Sequence, residues 1–133
     1  MNKFLVDTDI WIDFLNKQEY ALDLIPRLSE EGYVFSSVLT IAELRAGFTR
    51  ERAKRFMPIF YAFTNMAVGV SENIAEIAGT FLFEYKKKGI NLGTVDAIIA
   101  ATAIQNSYIL LTNNKKHYPM PEITFYIKEE RKK

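Results

Sequence analysis

Residues 3–15 read KFLVDTDIWIDFL, and the hydrophobic pattern of this stretch changes at Asp7. Residues 3–6 form a mainly apolar run, which is typical of a strand buried on both faces of a parallel sheet. From Thr8 onwards the apolar side chains recur at helical spacing, so a helix is predicted with Thr8 or Asp9 as its N-cap. A carboxylate therefore stands at the junction between a buried strand and a helix.

Strand and helix patterns alternate along the rest of the chain. Further strands are predicted at residues 33–37, 66–70, 108–112 and 123–127, and further helices at residues 20–30, 38–47, 50–66, 71–89 and 94–107. Pro58 lies inside one of these helical patterns and is expected to kink it or to start a new turn. Helices that alternate with strands too apolar to face water predict an α/β sandwich with a mainly parallel sheet.

The composition restricts the kinds of site that the chain can build. At 133 residues it has the size of one compact domain, predicted to cover residues 1–128, with a charged tail at residues 129–133. It contains no cysteine and one histidine, His117, which excludes disulfides, thiolate nucleophiles and metal sites made of sulfur or several imidazoles. No apolar stretch reaches the roughly 18 residues of a membrane span and no secretory signal is recognisable, so a cytoplasmic protein is expected.

Three acidic residues stand at the end of a strand or in apolar surroundings. Asp7 ends the first predicted strand, Glu43 lies in the segment TIAEL, and Asp96 lies in the segment TVDAII. Each has a plain structural explanation: Asp7 could cap the next helix, Glu43 could face solvent, and Asp96 could stabilise a helix N-terminus. If the fold brings the three carboxylates together, they repel one another unless their pKa values rise or a cation binds.

The carboxyl ends of parallel strands are where such sheets bind ligands. Asp7 follows the first strand there, and the segment TNN at residues 112–114 follows the fourth, so the two could be neighbours. A hard divalent ion such as Mg²⁺ or Mn²⁺ suits carboxylate and amide oxygens and leaves coordination positions open for a phosphate. These residues therefore favour metal-assisted hydrolysis of a phosphodiester bond.

Four sequence blocks, LVDTDIWIDFL, TIAELRAG, VDAIIAATA and YILLTNNKKHY, resemble the PIN domains, and in particular the VapC ribonuclease toxins of toxin–antitoxin pairs. The blocks cover nearly the whole chain in the order and spacing of that family. The resemblance implies a PIN-like three-layer sandwich with a five-stranded parallel sheet flanked by helices. It also implies an Mg²⁺- or Mn²⁺-dependent endoribonuclease toxin that cleaves RNA, is inhibited by a cognate VapB-like antitoxin and is commonly a homodimer.

The resemblance assigns roles by position in this sequence. Asp7 and Asp96 resemble the family's metal-binding aspartates, and Glu43 resembles its helix-borne glutamate. Thr112 resembles the hydroxyl that orients the acidic cluster. Asn114 stands where an acidic residue is common, so a second metal ion would be held more weakly here.

Three other polar residues lie close to these blocks. His117 is expected to be an ordinary exposed loop residue, with a proton-shuttling or RNA-contacting role as the alternative. Asp9 is either a plain N-cap or an additional acceptor beside the metal ligands. Asp13, one helical turn further on, is expected to face solvent.

Basic and aromatic residues indicate where partners bind. The candidates for contacts with the RNA backbone are Arg45, Arg50, Lys115 and Lys116. Arg45 has a second explanation as the salt-bridge partner of Glu43. The aromatic segment at residues 56–66 is expected to leave some apolar surface for an antitoxin helix or a second subunit.

Two other function classes compete with the nuclease. A non-catalytic PIN-like domain that binds RNA or protein is opposed by the intact Asp7, Glu43 and Asp96, although Asn114 keeps it open. A receiver-like phosphoacceptor domain is a poorer match, because it usually has an aspartate after the third strand. The segment AVGVS at residues 67–71 supplies none.

Overall fold

The computed structural model describes residues 1–127. The strands of this part are β1 (Asn2–Val6), β2 (Gly32–Ser37), β3 (Met66–Val68), β4 (Ile109–Leu111) and β5 (Thr124–Phe125). Its helices are α1 (Thr8–Leu15), α2 (Glu19–Glu31), α3 (Val38–Ala46), α4 (Arg50–Phe63), α5 (Glu72–Lys87) and α6 (Thr94–Asn106), and a 3₁₀ turn spans Lys115–His117. The predicted domain end at residue 128 and the predicted tail at residues 129–133 lie outside the described residues.

The strands form one sheet in the order β3-β2-β1-β4-β5, and every neighbouring pair is parallel. β1 lies at the centre, where Phe4 is in register with Val34 of β2 on one side and with Ile109 of β4 on the other. The carboxyl ends of β1, β2 and β4 therefore meet at one edge. This sheet confirms the predicted parallel α/β sandwich, and its strand order differs from the 2-1-3-4-5 order of receiver domains.

Alternate side chains of β1 enter two separate cores, as the two-residue period of a strand requires. Phe4 and Val6 pack on the face of the sheet that α1, α2, α3 and α4 cover, whereas Leu5 packs on the opposite face with Ile99 and Ala100 of α6. Because β1 is covered on both faces, its apolar residues are continuous rather than alternating.

Trp11 joins α1 to the sheet close to Asp7. Its fully buried ring meets the rings of Phe14 and Phe60 edge to face, with centroid distances of 5.9 and 4.9 Å. Its indole N–H donates to the hydroxyl of Ser36 in β2 over 2.9 Å. The polar N–H of the indole therefore has a hydrogen-bond partner inside an apolar core, and the ring holds α1 against β2.

The N-cap of α1 is Asp7, which confirms the plain structural explanation of that carboxylate, and the prediction of Thr8 or Asp9 as the cap is wrong. α4 continues through Pro58 without a break, which rules out a new start at that residue and leaves the kink as the prediction. Phe60 is fully buried just beyond the proline, and its packing holds the helix across the missing N–H donor.

In the described part of the chain, no helix is both long enough and apolar enough to cross a membrane.

Candidate active site

Asp7 stands at the carboxyl end of β1, where its backbone N–H donates to the carbonyl of Leu111 over 2.9 Å and so extends the pairing with β4. Its Oδ1 accepts the backbone N–H of Thr8 at 2.8 Å. Its Oδ2 accepts the hydroxyls of Thr112 at 3.0 Å and Tyr118 at 2.7 Å. Three donors therefore fix one half-buried carboxylate, which caps α1 and lies at the sheet edge at the same time.

Asp96 lies in the first turn of α6, where its carboxylate comes close to that of Asp7. Its Oδ1 is 3.3 Å from the hydroxyl of Tyr118, and its Oδ2 is 3.7 Å from Nδ1 of His117. Burial raises the pKa of Asp96 above the ordinary aspartate value and the charge of Asp7 raises it further, whereas His117 and Tyr118 act in the opposite direction. The two aspartates that the sequence predicts as metal ligands thus lie together.

Tyr118 lies between these aspartates, and sequence reasoning missed it. Its ring is buried, with only 2% of the residue exposed, and its hydroxyl reaches both Asp7 and Asp96. Burial and then the charges of the two carboxylates raise the pKa of Tyr118 far above its ordinary value, so the hydroxyl stays protonated. In the hydrophobic pattern of YILLTNNKKHY a tyrosine counts as an apolar residue, as a phenylalanine would. Nothing in the pattern therefore indicates a role for its hydroxyl at the site.

Thr112 holds the loop after β4 against the site. Its hydroxyl donates to Asp7 and accepts the backbone N–H of Asn114 at 3.1 Å. The sequence predicted that the ends of the first and fourth strands could be neighbours, and the pairing of β1 with β4 confirms this arrangement.

Glu43 is separated from the pair of aspartates by Thr8. Its exposed carboxylate accepts the hydroxyl of Thr8 at 2.7 Å, and the same hydroxyl lies 2.9 Å from that of Thr40. Across residues 1–127, no three acidic, histidine or cysteine side chains are grouped closely enough to hold one ion. Glu43 therefore stands beside the site without completing a three-carboxylate cluster with Asp7 and Asp96.

The two asparagines after Thr112 are bound to the acidic face of α1. Asp9 accepts the backbone N–H of Asn113 at 2.8 Å and the side-chain amide of Asn114 at 3.3 Å. Burial raises the pKa of Asp9, the hydrogen bond from Asn113 opposes the rise, and the charge of Asp7 adds to it. Because the amide nitrogen of Asn114 is directed to Asp9, its carbonyl oxygen remains for a ligand. Asp9 is thus an acceptor near the site rather than the N-cap.

Asp13 is half-buried, and it accepts the hydroxyl of Tyr20 and the side-chain amide of Asn113. Its carboxylate faces solvent, as predicted, and is hydrogen-bonded there. Burial and the hydrogen bond to Asp13 raise the pKa of Tyr20 to about 12. Through these contacts α2 is tied to the loop that carries Asn114.

His117 and the two lysines before it form the 3₁₀ turn after β4. The side chain of His117 is 47% exposed, as expected of a loop residue, yet it faces Asp96. Lys115 lines a cleft of about 330 Å³ beside Thr112, and its ammonium group lies 5.4 Å from the centre of the Phe125 ring. Lys116 is exposed.

Arg45 and Arg50 lie elsewhere, in a shallow hollow of about 640 Å³ between α3 and α4 that Lys54 and Tyr61 also line. The guanidinium of Arg45 donates to the carbonyl of Phe48 at 3.0 Å. In the part of the chain that the structure describes, Arg45 makes no ion pair with Glu43, so this alternative explanation is wrong.

The donor set fits a hard divalent cation. Asp7 and Asp96 offer carboxylate oxygens on the two sides of the Tyr118 hydroxyl. Mg²⁺ commonly keeps several waters and takes one or two protein carboxylates plus phosphate oxygens, rather than filling an all-protein cage. A pair of aspartates without a third carboxylate at the same point matches this preference.

Comparison with known proteins gives one family. The model of the PIN domain matches residues 4–123. Ribonuclease VapC1 from Methanocaldococcus jannaschii is 32% identical over 117 residues, which cover 88% of this chain and 79% of that protein. Ribonuclease VapC19 from Mycobacterium tuberculosis is 35% identical over 117 residues, which cover 87% of this chain and 92% of that protein.

Solved structures with the same fold come from toxin–antitoxin complexes. VapBC2 from Rickettsia felis, bound to a DNA fragment of its promoter, matches with a TM-score of 0.81 at 23% identity, over 92% of this chain and 96% of that chain. A toxin–antitoxin complex from Klebsiella pneumoniae matches with a TM-score of 0.71 at 26% identity, over the same two fractions.

Proposed function

The chain belongs to the PIN-domain family, and we propose that it is a metal-dependent endoribonuclease that acts as the toxin of a toxin–antitoxin pair. The observation that carries the proposal is the pair Asp7 and Asp96, whose carboxylates both approach the hydroxyl of Tyr118 at the carboxyl edge of the sheet. Two like charges this close are unfavourable unless a proton or a cation compensates them. The names of the curated relatives support RNA as the substrate.

Asp7 and Asp96 are the residues that would hold Mg²⁺ or Mn²⁺. When bound there, such an ion supplies a water of lowered pKa and polarises the phosphoryl oxygen of the scissile bond. The protein's own groups keep the carboxylates in place, since Thr8 and Thr112 both donate to Asp7.

Glu43 and Asn114 extend this edge on opposite sides of Asp7. The carboxylate of Glu43 is exposed and only its Oε1 is engaged, so we assign it the role of accepting a proton from the attacking water. Asn114 contributes a neutral carbonyl oxygen, with the charge of Asp9 close behind its amide nitrogen.

The basic residues supply the contacts to the RNA backbone in this proposal. Lys115 and Lys116 directly follow the loop that carries Thr112, so they would bind phosphates next to the scissile one. Arg45 and Arg50, in the hollow between α3 and α4, would bind phosphates further along the strand. Neutralising phosphates with cations makes binding dependent on salt concentration, which gives this assignment a direct test.

The partner that we propose is a VapB-like antitoxin that covers the acidic site around Asp7 and Asp96. We also propose that the functional unit is a homodimer in the cytoplasm. The VapBC2 structure from Rickettsia felis and the toxin–antitoxin complex from Klebsiella pneumoniae support an antitoxin partner. Side chains of α4 that remain exposed, including Ile59 and Tyr61, offer apolar surface for such contacts.

The proposal is tested by incubating the purified protein with a panel of structured RNAs, with and without Mg²⁺ or Mn²⁺. Cleavage is expected only with metal, and it is expected to fall below detection in Asp7→Asn and Asp96→Asn. Glu76→Gln, which neutralises an exposed carboxylate on α5, is the matched control and should cleave like the wild type. Cleavage that survives chelation, or that both aspartate variants retain, would refute the mechanism.

One observation favours a second candidate, a non-catalytic PIN-like domain that binds RNA or protein. Asn114 stands where the resemblance to the PIN domains places an acidic residue. This candidate predicts that RNA binds in a mobility-shift assay and remains uncut in the presence of either metal.

A further inference from the structure

Tyr118 combines a ring in the core with a hydroxyl that reaches the carboxylates of Asp7 and Asp96. The ring packs in the buried cluster that contains Leu5 of β1 and Ile99 of α6, the elements that carry Asp7 and Asp96. The position of the hydroxyl is therefore set by the same packing that sets the distance between the two aspartates. A side chain on the surface would not have this rigidity.

The Tyr118 hydroxyl has a single proton to donate, and its distances to Asp7 and Asp96 show which carboxylate receives it. The bond to Asp7 Oδ2 is 2.7 Å, whereas the contact with Asp96 Oδ1 is 3.3 Å. The proton is therefore directed mainly to Asp7, and Asp96 receives the weaker share. With Thr112 donating to the same Oδ2 and Thr8 to Oδ1, one acceptor direction of the Asp7 carboxylate is left open.

We propose that Tyr118 is a positioning residue of the metal site, which holds the carboxylates of Asp7 and Asp96 in the spacing that a divalent cation needs before the cation binds. The inference rests on the proposed function, because it concerns the same two aspartates. A neutral donor between two like charges keeps them from turning apart, so less reorganisation is needed when the ion arrives. Phenylalanine would fill the same core volume and lack this effect.

The test compares Tyr118→Phe with Tyr108→Phe. Tyr108 is another buried tyrosine of the same cluster, and its hydroxyl makes no hydrogen bond to Asp7 or Asp96. MgCl₂ is titrated calorimetrically into the chelator-treated full chain of each variant and of the wild type. Tyr118→Phe is expected to raise the Kd for Mg²⁺ about 10-fold, in the range found for groups that orient metal ligands, and Tyr108→Phe to leave it unchanged.

A second readout separates positioning from a general effect on folding. Cleavage of RNA by Tyr118→Phe is expected to be weak at low Mg²⁺ and to recover as Mg²⁺ is raised, whereas a poorly folded variant would not recover. A Kd for Tyr118→Phe that equals the wild-type value, or that is tighter, overturns the inference while the nuclease assignment stands. If the wild type itself neither binds Mg²⁺ nor cleaves RNA, the proposed function fails and the inference fails with it.

Discussion

Thr8 donates its hydroxyl hydrogen to the carboxylate of Glu43 over 2.7 Å. The backbone N–H of the same residue donates to Asp7. One threonine at the start of α1 therefore connects the carboxylate at the end of β1 with a carboxylate on α3. Glu43 is therefore positioned beside Asp7 and Asp96 through Thr8, and not by a direct contact with either aspartate.

Thr8→Val removes the hydroxyl and keeps the backbone donor to Asp7. We expect RNA cleavage to fall about 10-fold because Glu43 loses its orientation, with little change in Mg²⁺ affinity at Asp7 and Asp96. Initial rates at saturating Mg²⁺ and calorimetric titration measure the two effects. Thr40→Val is the matched control, since Thr40 contacts Thr8 and makes no hydrogen bond to Glu43. Equal loss in both variants would show that the hydroxyl network matters only for packing.

Asp96→Asn is expected to stabilise the metal-free protein near neutral pH. Burial and the charge of Asp7 raise the pKa of Asp96 from 3.8, so the folded state binds this proton more tightly than the unfolded chain does. The free energy of unfolding therefore falls as pH rises from the unfolded pKa through the raised folded pKa.

The expected gain for Asp96→Asn at about pH 8 is roughly 0.5–1 kcal/mol, as for other partly exposed charge pairs. It should disappear below about pH 4, where the wild-type carboxyl is protonated in both states. Urea unfolding in the presence of chelator, repeated across this range, measures it. A gain that does not depend on pH would rule out the charge as its cause.

Asn114→Asp replaces a donor to Asp9 with a like charge at 3.3 Å. We expect the metal-free variant to lose roughly 0.5–1 kcal/mol of stability. We also expect Mn²⁺ to raise its melting temperature by more than it raises that of the wild type, because an added carboxylate binds the ion more tightly. Thermal melts with and without Mn²⁺ measure both effects. Asn91→Asp, at an exposed position before α6, should show neither.

Gly32→Ala is expected to lower the free energy of unfolding by about 1–3 kcal/mol. A Cβ at Gly32 would lie 2.1 Å from the carbonyl oxygen of Asn2, so the first residues of β1 and β2 would have to separate. Gly79→Ala is the control, because a Cβ there meets nothing within 4 Å and alanine has a higher helix propensity than glycine at this exposed position of α5. Chemical denaturation should therefore show a lower free energy of unfolding for Gly32→Ala and a higher one for Gly79→Ala.

The elements that sequence reasoning located best are those whose signal is local. The change of period at Asp7 predicted both β1 and α1, because a buried parallel strand and an amphipathic helix have different spacings of apolar residues. The carboxylates of Asp7 and Asp96 were found because an acid in apolar surroundings is unusual.

The features that were missed depend on where distant side chains meet. The role of Tyr118 follows from its contacts with Asp7 and Asp96, and the separation of Glu43 from that pair follows from the position of Thr8 between them. The continuous α4 depends on tertiary packing of Phe60, which overrides the local preference of Pro58. Periodicity and residue type report none of these relations.

The hydrogen bond between Tyr118 and Asp7 joins residues that are 111 positions apart in the chain. Because the ribosome adds residues in order, the carboxylate of Asp7 is made long before the hydroxyl that holds it. Contacts of such long range also form late in folding, after the local helices. For the proposed toxin this means that a nascent chain released before residue 118 lacks this hydroxyl, strand β5 and the buried side chains of Met120 and Ile123. Premature termination should therefore yield an inactive product with an incomplete core, rather than a partly active nuclease.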